Sequence, residues 1–461
     1  MKFRGFLGAS ALALLLASGA IGSAQAQSIS QALAAAYDHA PELQSALLAA
    51  KSSAENIVQA KSAKLPTIGA SIAGSRNATL SGGDWSSSTS LTTGLSYGQT
   101  IFDNFRSDAQ IEQARAGAEA AEYQLRNTEQ NVFLDVVQAY MDVLTTRELL
   151  SLRQENITFF QAQLQSAQDR LDVGEGTRID VAQAQARLAQ GDAAYRAAQG
   201  SLETAQATFQ RYVGARPGTL STSHDFARLI PNSLESAISE AETGHPAILL
   251  AKASIRAAQA GSDAAQAEFG PNATISGSVG SNWSQSDAGG LGGGGVSQGS
   301  IQASVGFRVE VPIYSGGRIG SAVRQANLEQ IQSEVDAMGA YDQIREAVIA
   351  SWSGIQSADA QIQAAQSAVS ASNTVLEGVI QERDLGTRTT LDVLDSQADL
   401  VTARESLINA SNNKVVATFS LLSAMGRLTA QDLNLPVEIK TAVPYTQAVE
   451  DVWQELRTVV E

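Results

Sequence analysis

Ile301-Gln302-Ala303-Ser304-Val305-Gly306-Phe307-Arg308-Val309-Glu310-Val311 is the stretch whose reading decides the fold. Ile301, Ala303, Val305, Phe307, Val309 and Val311 alternate with Gln302, Ser304, Gly306, Arg308 and Glu310. A period of two with one apolar and one polar face is a strand separating two media. Arg308 and Glu310 on the polar face suit a water-filled lumen better than lipid. Directly after it, Ile313-Tyr314-Ser315-Gly316-Gly317-Arg318 opens a long helical pattern.

The same passage occurs earlier. Ile101-Phe102-Asp103-Asn104-Phe105-Arg106 matches Ile313 to Arg318 at an offset of 212, and the offset then holds without a gap. Gly174 meets Gly386, Asp180-Val181 meets Asp392-Val393, Gln185-Ala186 meets Gln397-Ala398, and Gly214 meets Gly426. Upstream, Pro41 and Pro66 match Pro246 and Pro271 at an offset of 205, so seven residues are inserted between two strand candidates, where Gly289–Gly295 lies. A register this long that also aligns the glycines at helix ends indicates internal duplication. Other strand candidates are Ile68, Ala70 and Ile72; Leu91, Thr93, Leu95 and Tyr97; and Ala273, Ile275, Gly277 and Val279. Ser81–Ser88 and Trp283–Gly299 read as Gly/Ser-rich loops, with Trp85 and Trp283 in them as interface anchors or loop packing.

The segment Arg106–Val173 has no proline and carries a 3,4-spaced seam of Ile111, Ala114, Ala118, Ala121, Leu125, Thr128 and Val132. As one helix it would reach roughly 100 Å. A returning helix from about Thr177 to Tyr212, and one from about Ser28 to Lys64 before the first strand, would together match its length. The resulting division is 1–26 leader, 27–214 first half, 215–240 linker, 241–426 second half, and 427–461 tail. The leader has Lys2 and Arg4, an apolar run from Leu7 to Ala17, and Ala24-Gln25-Ala26 as a cleavage site, the pattern of a secretory signal peptide.

Composition narrows the function classes. The chain has 461 residues, no cysteine, 5% aromatic and 17% charged residues, and a net charge of −16. Without cysteine there is no disulfide framework, thiolate metal site or cysteine nucleophile. Acidity argues against nucleic acid as a partner. No nucleophile–base pair, cofactor motif or metal-ligand spacing is present, so an enzyme is not expected. The glycine run lacks the Lys-Ser/Thr of a phosphate loop. His39, His224 and His245 are scattered, two of them next to helix-starting prolines. Few bulky side chains suggest a tube wall one helix thick, with no thick core. Four strands cannot close a barrel, and open edges are not tolerated in lipid, so the strands must be shared between chains.

These features together resemble the TolC family of outer-membrane channel-tunnels over about Ser28 to Gly426. The residues that carry the resemblance are the Tyr314-Ser315-Gly316-Gly317-Arg318 junction and the Gly386-Thr387-Arg388-Thr389-Thr390-Leu391-Asp392-Val393-Leu394-Asp395 turn. The resemblance implies a mainly α fold with a small β part, in which three chains share a twelve-strand outer-membrane barrel above a long α-helical barrel. It implies a homotrimeric passive exit duct in the outer membrane that reaches across the periplasm, opened by a periplasmic adaptor and an inner-membrane ABC or RND-type transporter. The absence of a lipid-anchoring cysteine points to the unlipidated branch, which often serves type I protein secretion. The alternative is a secreted trimeric coiled-coil adhesin, which would leave the paired strands unexplained.

The resemblance also places function at the two helix turns. Gly174, Gly176, Thr177, Gly386 and Thr387 match the adaptor-docking tip, and Asp180, Arg383, Arg388, Asp392 and Asp395 match or replace gate positions. Arg383 stands where the family has a tyrosine, which suggests an Asp180–Arg383 ion pair with another acceptor for Arg388. Asp392, Asp395 and Asp399 share one helix face, and Asp392 and Asp395 from several chains would form a carboxylate ring at the constriction, with mutually raised pKa values and a preference for cations.

Overall fold

The computed structural model describes residues 27–82, 84–222, 226–288 and 296–454. The leader, His224, Gly289–Gly295 and residues 455–461 lie outside the described residues. The first half runs α1 (Ile29–His39), α2 (Pro41–Ser62), β1 (Thr67–Ser81), β2 (Asp84–Phe102), α3 (Arg106–Asp172) and α4 (Arg178–Val213). The second runs α5 (Leu234–Gly244), α6 (Pro246–Ala267), β3 (Asn272–Ala288), β4 (Val296–Glu310), α7 (Arg318–Asp384) and α8 (Thr390–Ala424), and α9 (Val443–Val449) lies in the tail. The two long helices have 67 residues each, about 100 Å, and start 212 residues apart. No described helix is long and apolar enough to cross a membrane.

The helix expected over Ser28–Lys64 is broken. Ala40 sits at φ −60, ψ 117 between α1 and α2, because Pro41 disfavours helical ψ in the residue before it. The segment drawn as linker also holds helix. Ser233 caps α5 by accepting the Ser236 N–H at 3.2 Å, so the second half's helices begin at Leu234, earlier than the 241 boundary.

The four strands form one antiparallel sheet in the order β1-β2-β3-β4, with the outer edges of β1 and β4 unpaired among the described residues. One face carries Ile68, Ile72, Leu95, Val279, Val305 and Phe307, all well exposed in the single chain. The other is a field of hydroxyls, with Ser75 and Ser90 at 2.9 Å and Ser278 and Ser304 at 2.8 Å. The expected loops Ser81–Ser88 and Trp283–Gly299 are largely strand instead. Leu80 pairs with Trp85, Ser88 with Ser286 and Leu91 with Trp283, so both tryptophans lie in the ladder. Polar stretches without apolar alternation look like loops in sequence, but a backbone ladder needs no apolar side chains once its neighbour strand is in place.

Beside the sheet the helices line up as α2–α3–α6–α7, and toward the far end of the long helices α4, α3, α8 and α7 pack together. Where the sheet meets the helices, Glu268 takes Arg106 at 3.3 Å and Arg318 at 3.1 Å, tying together the first residues of both long helices.

A thick core exists after all, at mid-length. Tyr37, Phe133, Tyr140, Phe209 and Phe419 are fully buried there with Leu33, Val136 and Leu422. Several of the scarce aromatics meet in this belt. Tyr140 Oη accepts the Ser221 N–H at 2.9 Å and lies 2.6 Å from the Gln27 carbonyl, pinning the start of the first half and the segment that follows it to α3. The tail docks on the same helix. Glu129, buried and paired with Arg126 at 3.0 Å, accepts the Ala430 N–H at 2.6 Å. Glu122 accepts from Thr441 Oγ1 and Ala442 N at 2.8 and 2.9 Å. Burial raises the Glu129 carboxyl pKa against the pull of these donors. Beyond α9, Glu450 pairs with Lys61 at 3.1 Å and Arg115 at 2.6 Å.

Candidate functional site

The far ends of the long helices are closed by two turns of one design. After Asp172, Gly174 takes φ 84, and after Asp384, Gly386 takes φ 80, a left-handed conformation that costs glycine little. Gly176 N donates to Arg170 O at 2.9 Å, and Thr387 N donates to Glu382 O at 3.0 Å, satisfying the last carbonyls of each helix. A Cβ on Gly176 would meet Leu171 N at 3.0 Å, so the turn is also sterically tight.

Each returning helix then starts with a capping box. Thr177 Oγ1 accepts the Asp180 N–H at 3.2 Å while Asp180 Oδ2 accepts the Thr177 N–H at 3.0 Å. Thr389 and Asp392 repeat the arrangement at 3.2 and 2.9 Å. Hydrogen bonds from the Thr389 backbone and side chain hold the Asp392 carboxyl below the usual carboxylate range, with a smaller contribution from Arg388. Within this chain Asp392 is therefore kept ionised by its cap.

Asp180 and Arg383 do not meet. The Asp180 carboxylate is occupied by its cap. Arg383, 8% exposed, donates through Nη1 to Gln163 Oε1 at 2.5 Å and through Nε and Nη2 to Asp384 Oδ1 at 3.1 and 2.8 Å. A neighbouring carboxylate and a facing amide on α3 reach the guanidinium first. Arg388 does find another acceptor, Glu382 Oε2 at 2.9 Å.

The carboxylate stripe is also partly neutralised. Asp395 Oδ1 lies 2.5 Å from Arg187 Nη2 on α4. Arg187 is the counterpart of Asp399 in the repeat, so it faces the stripe because the two halves differ there. Deeper in, Gln397 Nε2 donates to Asn156 Oδ1 at 3.0 Å with both residues buried, Arg404 pairs with Glu155 at 3.2 Å, and Arg153 pairs with Glu405. An apolar cluster of Leu376, Val393 and Leu400, with Phe159 packed on it, sits beside these links.

The α3/α4 and α7/α8 hairpins are thus joined by a short ladder of polar contacts that sequence reasoning missed: Gln163–Arg383, Arg187–Asp395 and Asn156–Gln397. The repeat alignment set Gln397 against Gln185, but which residue faces which across helices is a tertiary fact. Among the described residues no group of acidic or histidine side chains is arranged to hold a metal ion.

Comparison with known proteins agrees with this architecture. The family model described as outer membrane efflux protein matches residues 29–215 and 237–427. The outer membrane efflux protein BepC of Brucella suis biovar 1 is 36% identical over 449 residues, covering 97% of this chain and 96% of BepC. The outer membrane protein TolC of Vibrio cholerae is 26% identical over 427 residues, covering 91% of this chain and 96% of that protein. The crystal structure of the Campylobacter jejuni CmeC outer membrane channel superposes with a TM-score of 0.75 at 17% identity, covering 92% of this chain and 89% of CmeC.

Proposed function

The chain belongs to the outer membrane efflux protein family, and from that premise we propose that its two helical turns are the periplasmic gate of a trimeric exit duct. The protein is an outer-membrane channel for efflux or type I secretion that extends into the periplasm, and its relatives are channel proteins. In our reading three copies close the sheet into a barrel. Gly174, Gly176, Thr177, Gly386 and Thr387 receive a periplasmic adaptor, and an inner-membrane ABC or RND-type transporter supplies the cargo. Two halves, the second with its helices beginning at Leu234, followed by the 427–461 tail, fit a duct with two helical hairpins per chain at its tip.

The observation that carries the gate reading is the polar ladder between hairpins. Asp180 and Asp392 keep each turn folded, Arg388 braces the second turn on Glu382, and Arg383 and Asp395 hold α7/α8 against α3/α4. Opening then requires exchange of a few hydrogen bonds and ion pairs, rather than unfolding of either hairpin.

Single-channel recording in planar bilayers tests this. Arg187→Ala combined with Gln163→Ala removes both links to Asp395 and Arg383 and leaves the two caps intact. The expected result is at least a several-fold rise in conductance or open time. Unchanged conductance would remove these residues from the gate. In the same recordings Asp392→Ala should lower cation preference more than Asp395→Ala, because Asp395 is already paired. For cargo, a deletion strain assayed for both exoprotein release and sensitivity to toxic compounds separates secretion from efflux.

A further inference from the structure

The apolar face of the sheet changes character at a definite height. Its apolar rows begin at Phe102 and Val309, beside the helices, and end at Leu91 and Trp283, which are paired across β2 and β3. From Ala273 to Trp283, β3 climbs about 33 Å. At the usual tilt of outer-membrane strands that is about 25 Å of height, the size of the apolar band such barrels present to lipid. The next row on this face is polar throughout. Arg76 pairs with Thr89, Thr89 with Gln285 and Gln285 with Ser297. Arg76 is exposed, and it shares its face with Ile68, Ile72 and Leu80 because alternate residues of a strand point the same way. Along β1 itself it lies about 23 Å in height from Thr67, where that strand begins. Both routes put Arg76 at the boundary of the hydrocarbon remote from the helices.

The chain offers this cation no partner. Among the described residues Arg76 is the one basic residue on the apolar face, and it makes no hydrogen bond or ion pair. The one described acid on that face, Asp287, is a row further out and two strands away, about 12 Å by strand spacing and rise. Arg308, the other arginine of the sheet, lies on the opposite, hydroxyl-rich face.

We propose that Arg76 binds the phosphate of a lipid headgroup in the outer leaflet of the membrane, with Thr89 and Gln285 contacting the rest of that headgroup. This rests on the outer-membrane barrel reading and adds a lipid site to it. A guanidinium presents a planar fork of N–H donors that matches two phosphate oxygens at once. At the edge of the hydrocarbon it is partly shielded from water, where such a contact is stronger than in bulk solvent. The polar row is about 14 Å wide by strand spacing, broader than a single phosphate, and its hydroxyls and amide both donate and accept. Trp283, in the row beneath, sets an amphipathic ring at the same boundary and so fixes the depth at which a headgroup meets Arg76.

Native mass spectrometry of the full-length protein in detergent, titrated with diphosphoryl lipid A, tests this. Arg76→Ala should weaken binding by at least about tenfold, the scale of one hydrogen bond to a charged group. Arg76→Gln, which keeps most of the side-chain volume, should lose as much, and Arg76→Lys, which keeps the charge without the fork, should fall between. Arg308→Ala should leave the affinity unchanged. With the dephosphorylated lipid, the unmodified protein and Arg76→Ala should bind alike. Unchanged affinity of Arg76→Ala and Arg76→Gln for the phosphorylated lipid, or an equal loss from Arg308→Ala, overturns the site. Conductance in phosphatidylcholine bilayers separates this from the barrel itself. If the unmodified protein inserts and conducts while the Arg76 variants bind lipid A normally, the barrel stands and the lipid site falls. If the unmodified protein does not insert, both fall.

Discussion

The mid-length belt and the turn-bearing tip are built on opposite principles. The belt is a globular core. Phe133 and Tyr37 are fully buried with ring centroids 5.8 Å apart, α1 and the tail wrap α3, and even a carboxylate, Glu129, is buried and satisfied. The tip has two hairpins held side by side by a few polar contacts, with Val173, Ile179 and Leu385 well exposed. Folding energy is concentrated where the molecule does not have to move, and the region proposed to open rests on interactions that exchange readily with water.

This contrast can be broken by measurement. The largest effect is expected from Phe133→Ala, about 3–5 kcal/mol for a large buried side chain, read as a lowered midpoint of helix loss in denaturant. Leu376→Ala in the tip cluster, 8% exposed, should cost about 2 kcal/mol. If it costs as much as the belt substitution, the two regions are not built differently.

Acid should act on the belt through His245. This residue caps α6, with Nδ1 accepting the Ala247 N–H at 3.1 Å, and burial pushes its pKa down from 6.5 to about 4. A base with a depressed folded pKa contributes stability that is complete above its unfolded pKa and is lost as pH falls through the folded one. Between pH 6.5 and about 4 the loss should approach about 3 kcal/mol. His245→Asn keeps a side-chain acceptor at the cap and should flatten that limb of the stability–pH curve. An unchanged limb would show that other groups carry the acid sensitivity.

The smallest effect belongs to the tip. Thr389→Ala removes one cap, worth about 1 kcal/mol. It should raise hydrogen exchange in the first turn of α8 without moving the global midpoint. Asp392 adds a pH signature of the same kind. Its lowered pKa means the cap is intact above the ordinary carboxylate range and frays as pH falls through the folded value. A global shift from Thr389→Ala would mean that tip and belt unfold as one unit.

The duplication also shows how far one design can be written in two ways. Asn104 and Phe105 take φ 56 and 66 where the second half has Gly316 and Gly317 at φ 60 and 84. The same strand-to-helix junction is thus made once with glycines and once with residues that pay for the left-handed region.

Much of this fold was legible in the chain. The 212-residue offset, the long proline-free helices, the amphipathic strands and the turn glycines depend on spacing within a few residues or on self-comparison, and both survive in a bare sequence. Caps belong to the same class, since Thr177–Asp180 and Thr389–Asp392 are contacts three residues apart. The break at Ala40 is also local, since Pro41 alone disfavours helical ψ there. The polar outer ends of the strands were not, because a ladder borrows its order from the neighbouring strand. Arg187 with Asp395, Gln163 with Arg383, and Glu129 with Ala430 join residues 208, 220 and 301 positions apart. Helix rotation and the side-by-side register of α3, α4, α7 and α8 decide those pairs. These are set by packing of whole faces, so only the tertiary structure could say that the expected Asp180–Arg383 pair is replaced by other partners.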